Sequence, residues 1–402
     1  MEYNQDELSA PAWLNDEFFV HVIREFAHDQ AITLAAKCQI RPGTKAGDHF
    51  ASVMYRTTVR YRTAGGEQSL DLIMKLKPAT EGFKKDLLDG EDFFDREMRI
   101  YKEVLPEVDR MLRSIGEEYN YPRLVYTSTT PHTIIILEDI SSQGWRMKGL
   151  IESFEEMQPT INNIAKFHAA SVLLAHNDPL FAAQYRCTIA NTFRSMQSMS
   201  DTCFASFVKF LRDTLKLPEL VESVEKFHQQ LDGRLQAAYS TSTTCANVLI
   251  HGDFHFKNLL HLQRADQIVD TMFVDYQMSS WSSQVVDLYY LTYMIPEQSV
   301  KDGHRDEIIY SYYRVFREIL ERLNFEGRIP TLIDLQTELL RQGSLEFFHY
   351  VVFSAFRYID LSTVDLEAFF LGRLENPALE KKEFIQAMKK ELKRFLHQGI
   401  IN

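Results

Sequence analysis

The chain has 402 residues, 45% hydrophobic and 25% charged, the composition of a folded globular protein and the length of two lobes rather than one core. A net charge of −12 without any Lys/Arg block argues against a face built to neutralise nucleic-acid phosphates. Cys38, Cys187, Cys203 and Cys245 form no CxxC pair, which argues against a disulfide framework or cysteine zinc site; no run has the length of a membrane span or the pattern of a leader, so a cytoplasmic location is expected.

Asn15 is placed to cap a helix in which Phe18, Phe19, Val22, Ile23 and Phe26 recur at helical spacing. Beyond the turn-rich RPGTKAGDHF, the alternation in SVMYRTTVRYR predicts a strand. After Gly65 and Gly66, SLDLIMKLKP, closed by Pro78, predicts its antiparallel partner. A helix over Asp89 to Val104 with Phe93, Ile100, Tyr101 and Val104 on one face follows, then two strands in YPRLVYTSTTPHTIIILEDI. From about Ser153 the pattern is helical, except between Asn247 and Trp281, where NVLIH, LLHL and MFVDYQ are β-prone pieces around turn residues. The expectation is an α+β chain of two lobes: a small β-rich one over 1–137 and a larger helical one over 138–402, whose loop at 248–281 carries the chemistry.

That loop contains VLIHGDFHFKNLLHLQ, where apolar flanks enclose His251, Gly252, Asp253, His255, Lys257 and Asn258. Reduced to H-G-D-x-x-x-x-N, with Asp275 at the end of the next β-prone run, it brings two carboxylates and an amide oxygen toward one point. Phosphoryl transfer from Mg2+-ATP needs such a set: Asp253 as the base that orients the attacking hydroxyl, Asn258 and Asp275 as hard-oxygen metal ligands. Upstream, Glu97 falls on the apolar face of its helix, four residues from Phe93 and four from Tyr101, and a carboxylate there needs a cationic partner. Lys75 is the candidate, placed to hold the α and β phosphates; Lys77, on the same strand face, competes with it. IIILEDI reads as a strand running into an interlobe hinge, with Glu138 and Ile140 offering backbone groups to an adenine edge.

HGDFHFKN, FVDYQ, AKFHAAS, LEDI, the strand lysine before Pro78 and FFDREMRIYKEVLP together resemble the insect ecdysteroid kinase-like family, which is related to choline kinases and aminoglycoside phosphotransferases. The resemblance runs from Pro11 to the last helices. It implies a bilobal protein-kinase-like fold, ATP and Mg2+ as cofactors, and a small-molecule alcohol, such as an ecdysteroid or a hydroxylated xenobiotic, as phosphate acceptor. It carries the base over to Asp253, the metal ligands to Asn258 and Asp275, and the phosphate-positioning pair to Lys75 and Glu97. It also gives His251 a bracing role, and Asp287 that of a structural aspartate behind the loop. No G-x-G-x-x-G is present; the loop over the phosphates would be PGTKAGDHFAS, with Gly43, Gly47 and Ser52. Asp275, Tyr276 and Gln277 stand where protein kinases have D-F-G, which favours a small-molecule substrate over a protein.

Two other readings compete. His251, Asp253 and His255 form an H-x-D-x-H pattern that suits a zinc hydrolase, with His168 or His261 as further ligands, but this leaves Asn258, Asp275 and Glu97 without roles. The other is an inactive kinase-fold protein that binds a lipophile. Against it stands the presence of every residue that catalysis requires. The apolar neighbours of His168 mark it as a packed core histidine, and the aromatics around Phe347 to Tyr358 read first as core.

Overall fold

The computed structural model describes residues 9–43, 52–78, 92–186 and 196–402. Helix α1 (Asp16–Ala27) begins where the Asn15 side chain accepts the Phe18 N–H at 3.1 Å, and it turns Phe19, Val22 and Ile23 inward. They meet one face of an antiparallel sheet. Its strands are β1 (Thr33–Leu34), β2 (Arg41–Pro42), β3 (Val53–Thr63), β4 (Gly66–Leu76), β5 (Leu124–Ser128) and β6 (Ile134–Glu138), ordered β1-β3-β4-β6-β5 with β2 also on β3. The predicted hairpin is the β3–β4 pair, in register from Val53 opposite Leu76 to Thr63 opposite Gly66.

Strand alternation assigns the two faces different tasks. Val53, Tyr55, Val59, Leu72, Met74, Ile134 and Ile136 pack toward α1 and form the smaller core. Met54, Arg56, Ile73, Lys75, Ile135 and Leu137 face the other way, into a cavity.

Helix α2 (Phe93–Arg99) does not stop at Val104 as expected. It widens into a π turn at Ile100–Val104 and continues as α3 (Leu105–Ser114). Pro106 reads as a stop signal in sequence, but the π turn lets the Leu105 N–H reach back to Ile100, and the proline takes a place at the start of the next helical stretch. The residues before 92 on the predicted helix, Asp89 among them, lie outside the described ones. Ile100, Tyr101, Val104, Leu105, Val108 and Leu112 join the larger core, so this element ties the β-rich part of the chain to the helical part.

In the helical part, α4 (Phe154–Asn177) packs along α6 (Gln298–Arg322), preceded by α5 (Val285–Tyr293). Against α4 lie two small sheets. One has β7 (Trp145–Arg146), β9 (Leu259–Arg264) and β10 (Gln267–Phe273); the other pairs β8 (Asn247–Ile250) with β11 (Ser280–Ser283). The predicted aromatic core is present, with Phe347, Phe348 and Tyr350 fully buried.

His349 sits in that core at a π turn, its ring 4.4 Å from Tyr290, with no hydrogen-bond partner for either nitrogen among the described residues. Burial pushes its pKa down from 6.5 to about 3. The unfolded chain therefore binds this proton more readily, so the stability it confers is complete above pH 6.5 and is lost as pH falls toward 3. Urea unfolding should lose about 2 kcal/mol between pH 6.5 and 5 from this group alone, and His349→Phe should remove that part of the slope. An unchanged slope in the variant would assign the dependence elsewhere.

Candidate active site

Strand β8 delivers the chain to His251 and then to Gly252, which has φ +81° and where a Cβ would stand 2.3 Å from the Met278 carbonyl oxygen, so only glycine fits. Behind the turn, the buried Asp287 carboxylate accepts the His251 N–H at 2.6 Å, the Gly252 N–H at 3.0 Å and His168 Nε2 at 3.0 Å. His168 is the packed histidine expected, and it is also what holds Asp287, with the Tyr312 hydroxyl 2.7 Å from its Nδ1. The His251 Nε2 is engaged by the Val274 carbonyl at 3.0 Å, which ties the loop to the end of the β9–β10 hairpin.

This leaves Asp253 presented and about a third exposed. His255 Nε2 lies 3.3 Å from its Oδ1, and the Asn258 amide donates to its Oδ2 at 3.1 Å and its carbonyl at 2.9 Å. His255 Nδ1 accepts the Lys257 N–H at 3.2 Å, so the ring proton is on the nitrogen facing Asp253. Burial works to raise the Asp253 pKa, but His255, His251 and the Asn258 amide outweigh it and hold it down at about 2.

Asp275 adopts φ 68°, ψ 61°, a left-handed conformation that costs a non-glycine residue roughly 1–3 kcal/mol and so marks a position fixed by its surroundings. The Lys75 ammonium lies 2.6 Å from Asp275 Oδ1, 2.5 Å from Glu97 Oε2 and 3.2 Å from Gln277 Oε1. Burial alone would lower the Lys75 pKa; Asp275 and Glu97 reverse that and keep it charged. Burial pushes the Glu97 carboxyl up, against the pull of Lys75. The pairing anticipated from the position of Glu97 on its helix is thus present, and Lys75 rather than Lys77 makes it.

Between the large sheet and the loop that runs from His251 to Asn258 lies a cavity of about 470 Å³, whose wall carries Ser52, Lys75, Glu97, Glu138, Ile140, Asn258 and Asp275 together. Asp253 stands just beyond Asn258. The Glu138 side chain is taken by Arg123 at 3.1 Å and Gln143 at 3.1 Å, and its N–H by the Arg123 carbonyl, so both its carboxylate and its N–H are already engaged. Ile140 opens a short 3-10 turn, Ile140–Gln143, capped by Asp139. Gly43 directly follows β2, while Gly47 lies outside the described residues.

The model of the ecdysteroid kinase-like family matches residues 46–325. The chain belongs to that family. As an ecdysteroid kinase-like protein it is a small-molecule phosphotransferase with a hydroxyl acceptor. Similar solved structures include the GDP complex of a mutant aminoglycoside 2'-phosphotransferase-IIIa, 12% identical over 96% of this chain and 100% of that one, TM-score 0.41. An aminoglycoside phosphotransferase from Alicyclobacillus acidocaldarius is 12% identical over 84% and 90%, TM-score 0.38. A glucosamine kinase is 11% identical over 89% and 94%, TM-score 0.35. No curated protein matches the chain.

The zinc arrangement is not formed in this ecdysteroid kinase-like chain: among the described residues no three His, Cys, Asp or Glu side chains gather to hold a metal. Sequence reasoning missed three contributors. His255 was read only as a zinc candidate, though its spacing from Asp253 already placed the two on one tight turn. Gln277 touches Lys75 of β4, and Arg96 of α2 reaches the Gln277 carbonyl at 3.4 Å while its neighbour Glu97 bonds the Tyr276 backbone, so the segment after Asp275 is gripped from both elements. Only the position of Arg96 beside Glu97 hinted at that.

Proposed function

We propose that the protein transfers the γ-phosphoryl group of ATP, with Mg2+, to a hydroxyl of a lipophilic alcohol such as an ecdysteroid or a hydroxylated xenobiotic. The observation that carries this reading is Lys75, held between Glu97 and Asp275 on the wall of a cavity that also includes the β6 hinge. Lys75 positions the phosphates, Glu97 keeps it aimed, and the hinge backbone at Glu138 and Ile140 takes the adenine edge. Asp253 orients the acceptor hydroxyl and receives its proton.

The donor set suits Mg2+, which takes one or two protein oxygens and completes its octahedron with phosphate and water. Asn258 gives its amide nitrogen to Asp253, leaving Oδ1 for a cation, and Asp275 gives Lys75 only Oδ1. Bound there, Mg2+ would draw off charge developing on the β and γ phosphates. For a lipophilic acceptor, the support is the half-buried trio Phe353, Phe356 and Tyr358. They lead to Asp360, whose pKa is lowered by Ser362 and, more weakly, by Lys257 of the catalytic loop.

Calorimetry tests the nucleotide half of the reading. ATP should bind in a Mg2+-dependent manner, and Asp275→Ala should lose that dependence; no binding by either protein would end the proposal. Lys75→Met should impair ATP turnover more than Lys77→Met, and the reverse order would show Lys77 to be the phosphate lysine.

A further inference from the structure

Arg56 has no part in the chemistry above, yet it connects three elements around the cavity. It lies on β3, on the face that points into the cavity, opposite Ile73. Its Nε donates to the Gly43 carbonyl at 2.7 Å; its Nη1 donates to Asp139 Oδ2 at 3.0 Å and to Ser141 Oγ at 3.1 Å. Gly43 directly follows β2, where a Cβ would come within 2.9 Å of the Met54 carbonyl carbon, so the chain leaving β2 is pressed onto β3 at this point. Asp139 and Ser141 belong to the turn that follows β6, and the Asp139 N–H is bonded to the Asp71 carbonyl of β4 at 2.8 Å.

The Asp139 side chain is only 8% exposed, so its carboxylate needs a partner, and its Oδ1 is already occupied capping the Ser141 N–H at 3.0 Å. A guanidinium can satisfy the other oxygen while reaching two more acceptors from one rigid plane; an ammonium cannot span them equally.

We infer that Arg56 is a positioning residue for the nucleoside. By joining β2 and β3 to the Asp139–Ser141 turn, it fixes the sheet that roofs the cavity at a set height above the Ile140 backbone. A planar base then slots between Met54 and Ile73 above and Leu260 and Val274 below without first ordering either wall. This inference rests on the nucleotide reading of the cavity, and it predicts a loss in nucleoside affinity that is independent of phosphate and metal.

The experiment measures binding of adenosine and of Mg2+-ATP to the full chain by calorimetry. Arg56→Met should weaken both by a similar factor of about ten, with the Mg2+ dependence of ATP binding retained. Asp139→Asn, which can still cap the turn, should do the same, and the double variant should be no weaker than either single one. Multiplicative losses in the double variant, or Arg56→Met binding adenosine as the wild type does, would overturn the positioning role. So would a loss confined to ATP. Wild-type protein that binds neither ligand would remove the nucleotide reading and this inference with it, whereas wild-type binding with unaffected variants removes this inference alone.

Discussion

Asp253→Asn is expected to lower turnover by about two to four orders of magnitude while leaving ATP affinity near that of the wild type. The change is isosteric, and with its oxygen toward the Asn258 amide the new side chain keeps both Asn258 bonds, giving up only the contact with His255, toward which its NH2 turns. What disappears is the proton acceptor. With its pKa held at about 2, Asp253 is ionised throughout the neutral range but is a weak base. Such a base suits a loose transition state, in which the hydroxyl proton departs late and the carboxylate serves mainly to aim the oxygen at phosphorus. ATP consumption measured with a hydroxylated acceptor, beside calorimetric ATP affinity, separates the two effects. Full turnover in the variant would take the base role away from Asp253, and lost ATP affinity would show that Asp253 belongs to the nucleotide site instead.

The residues legible in the sequence were those whose burial contradicts their polarity. Glu97 fell on an apolar helix face, and the structure supplies Lys75 as the reason. His251, Asp253 and Asn258 interrupted an apolar run, and the structure ties His251 to Asp287 and the Val274 carbonyl and Asn258 to Asp253. Periodicity also delivered α1 and the β3–β4 hairpin, since both obey local rules. Pairings across long separations carried no such mark. Arg56 meets Asp139 at 83 residues' distance and His168 meets Asp287 at 119, and nothing in the neighbourhood of either arginine or histidine distinguishes it from its alternatives. The helix expected to end at Val104 runs on to Ser114 for a related reason: the burial of Leu105, Val108 and Leu112 in the larger core holds the further turns helical.

The same contrast singles out Asp287 as the position where a change should cost most in stability. Its side chain is wholly buried and accepts from two consecutive backbone N–H groups and from His168. Asp287→Ala leaves those donors enclosed without acceptors, a loss of roughly 3–5 kcal/mol by analogy with breaking other buried charged networks. Gly252, already in a conformation few residues adopt, would lose the bond that holds it there, and Asp253 is its next neighbour. Turnover should therefore fall even at temperatures where the variant remains folded. Asp287→Asn tests the charge separately: it keeps one acceptor oxygen but turns an NH2 toward a donor, so it should lie between the wild type and alanine. Urea unfolding and turnover at a temperature well below the melting transition read the two consequences independently. An alanine variant as stable and active as the wild type would mean that the catalytic loop keeps its shape without the aspartate behind it.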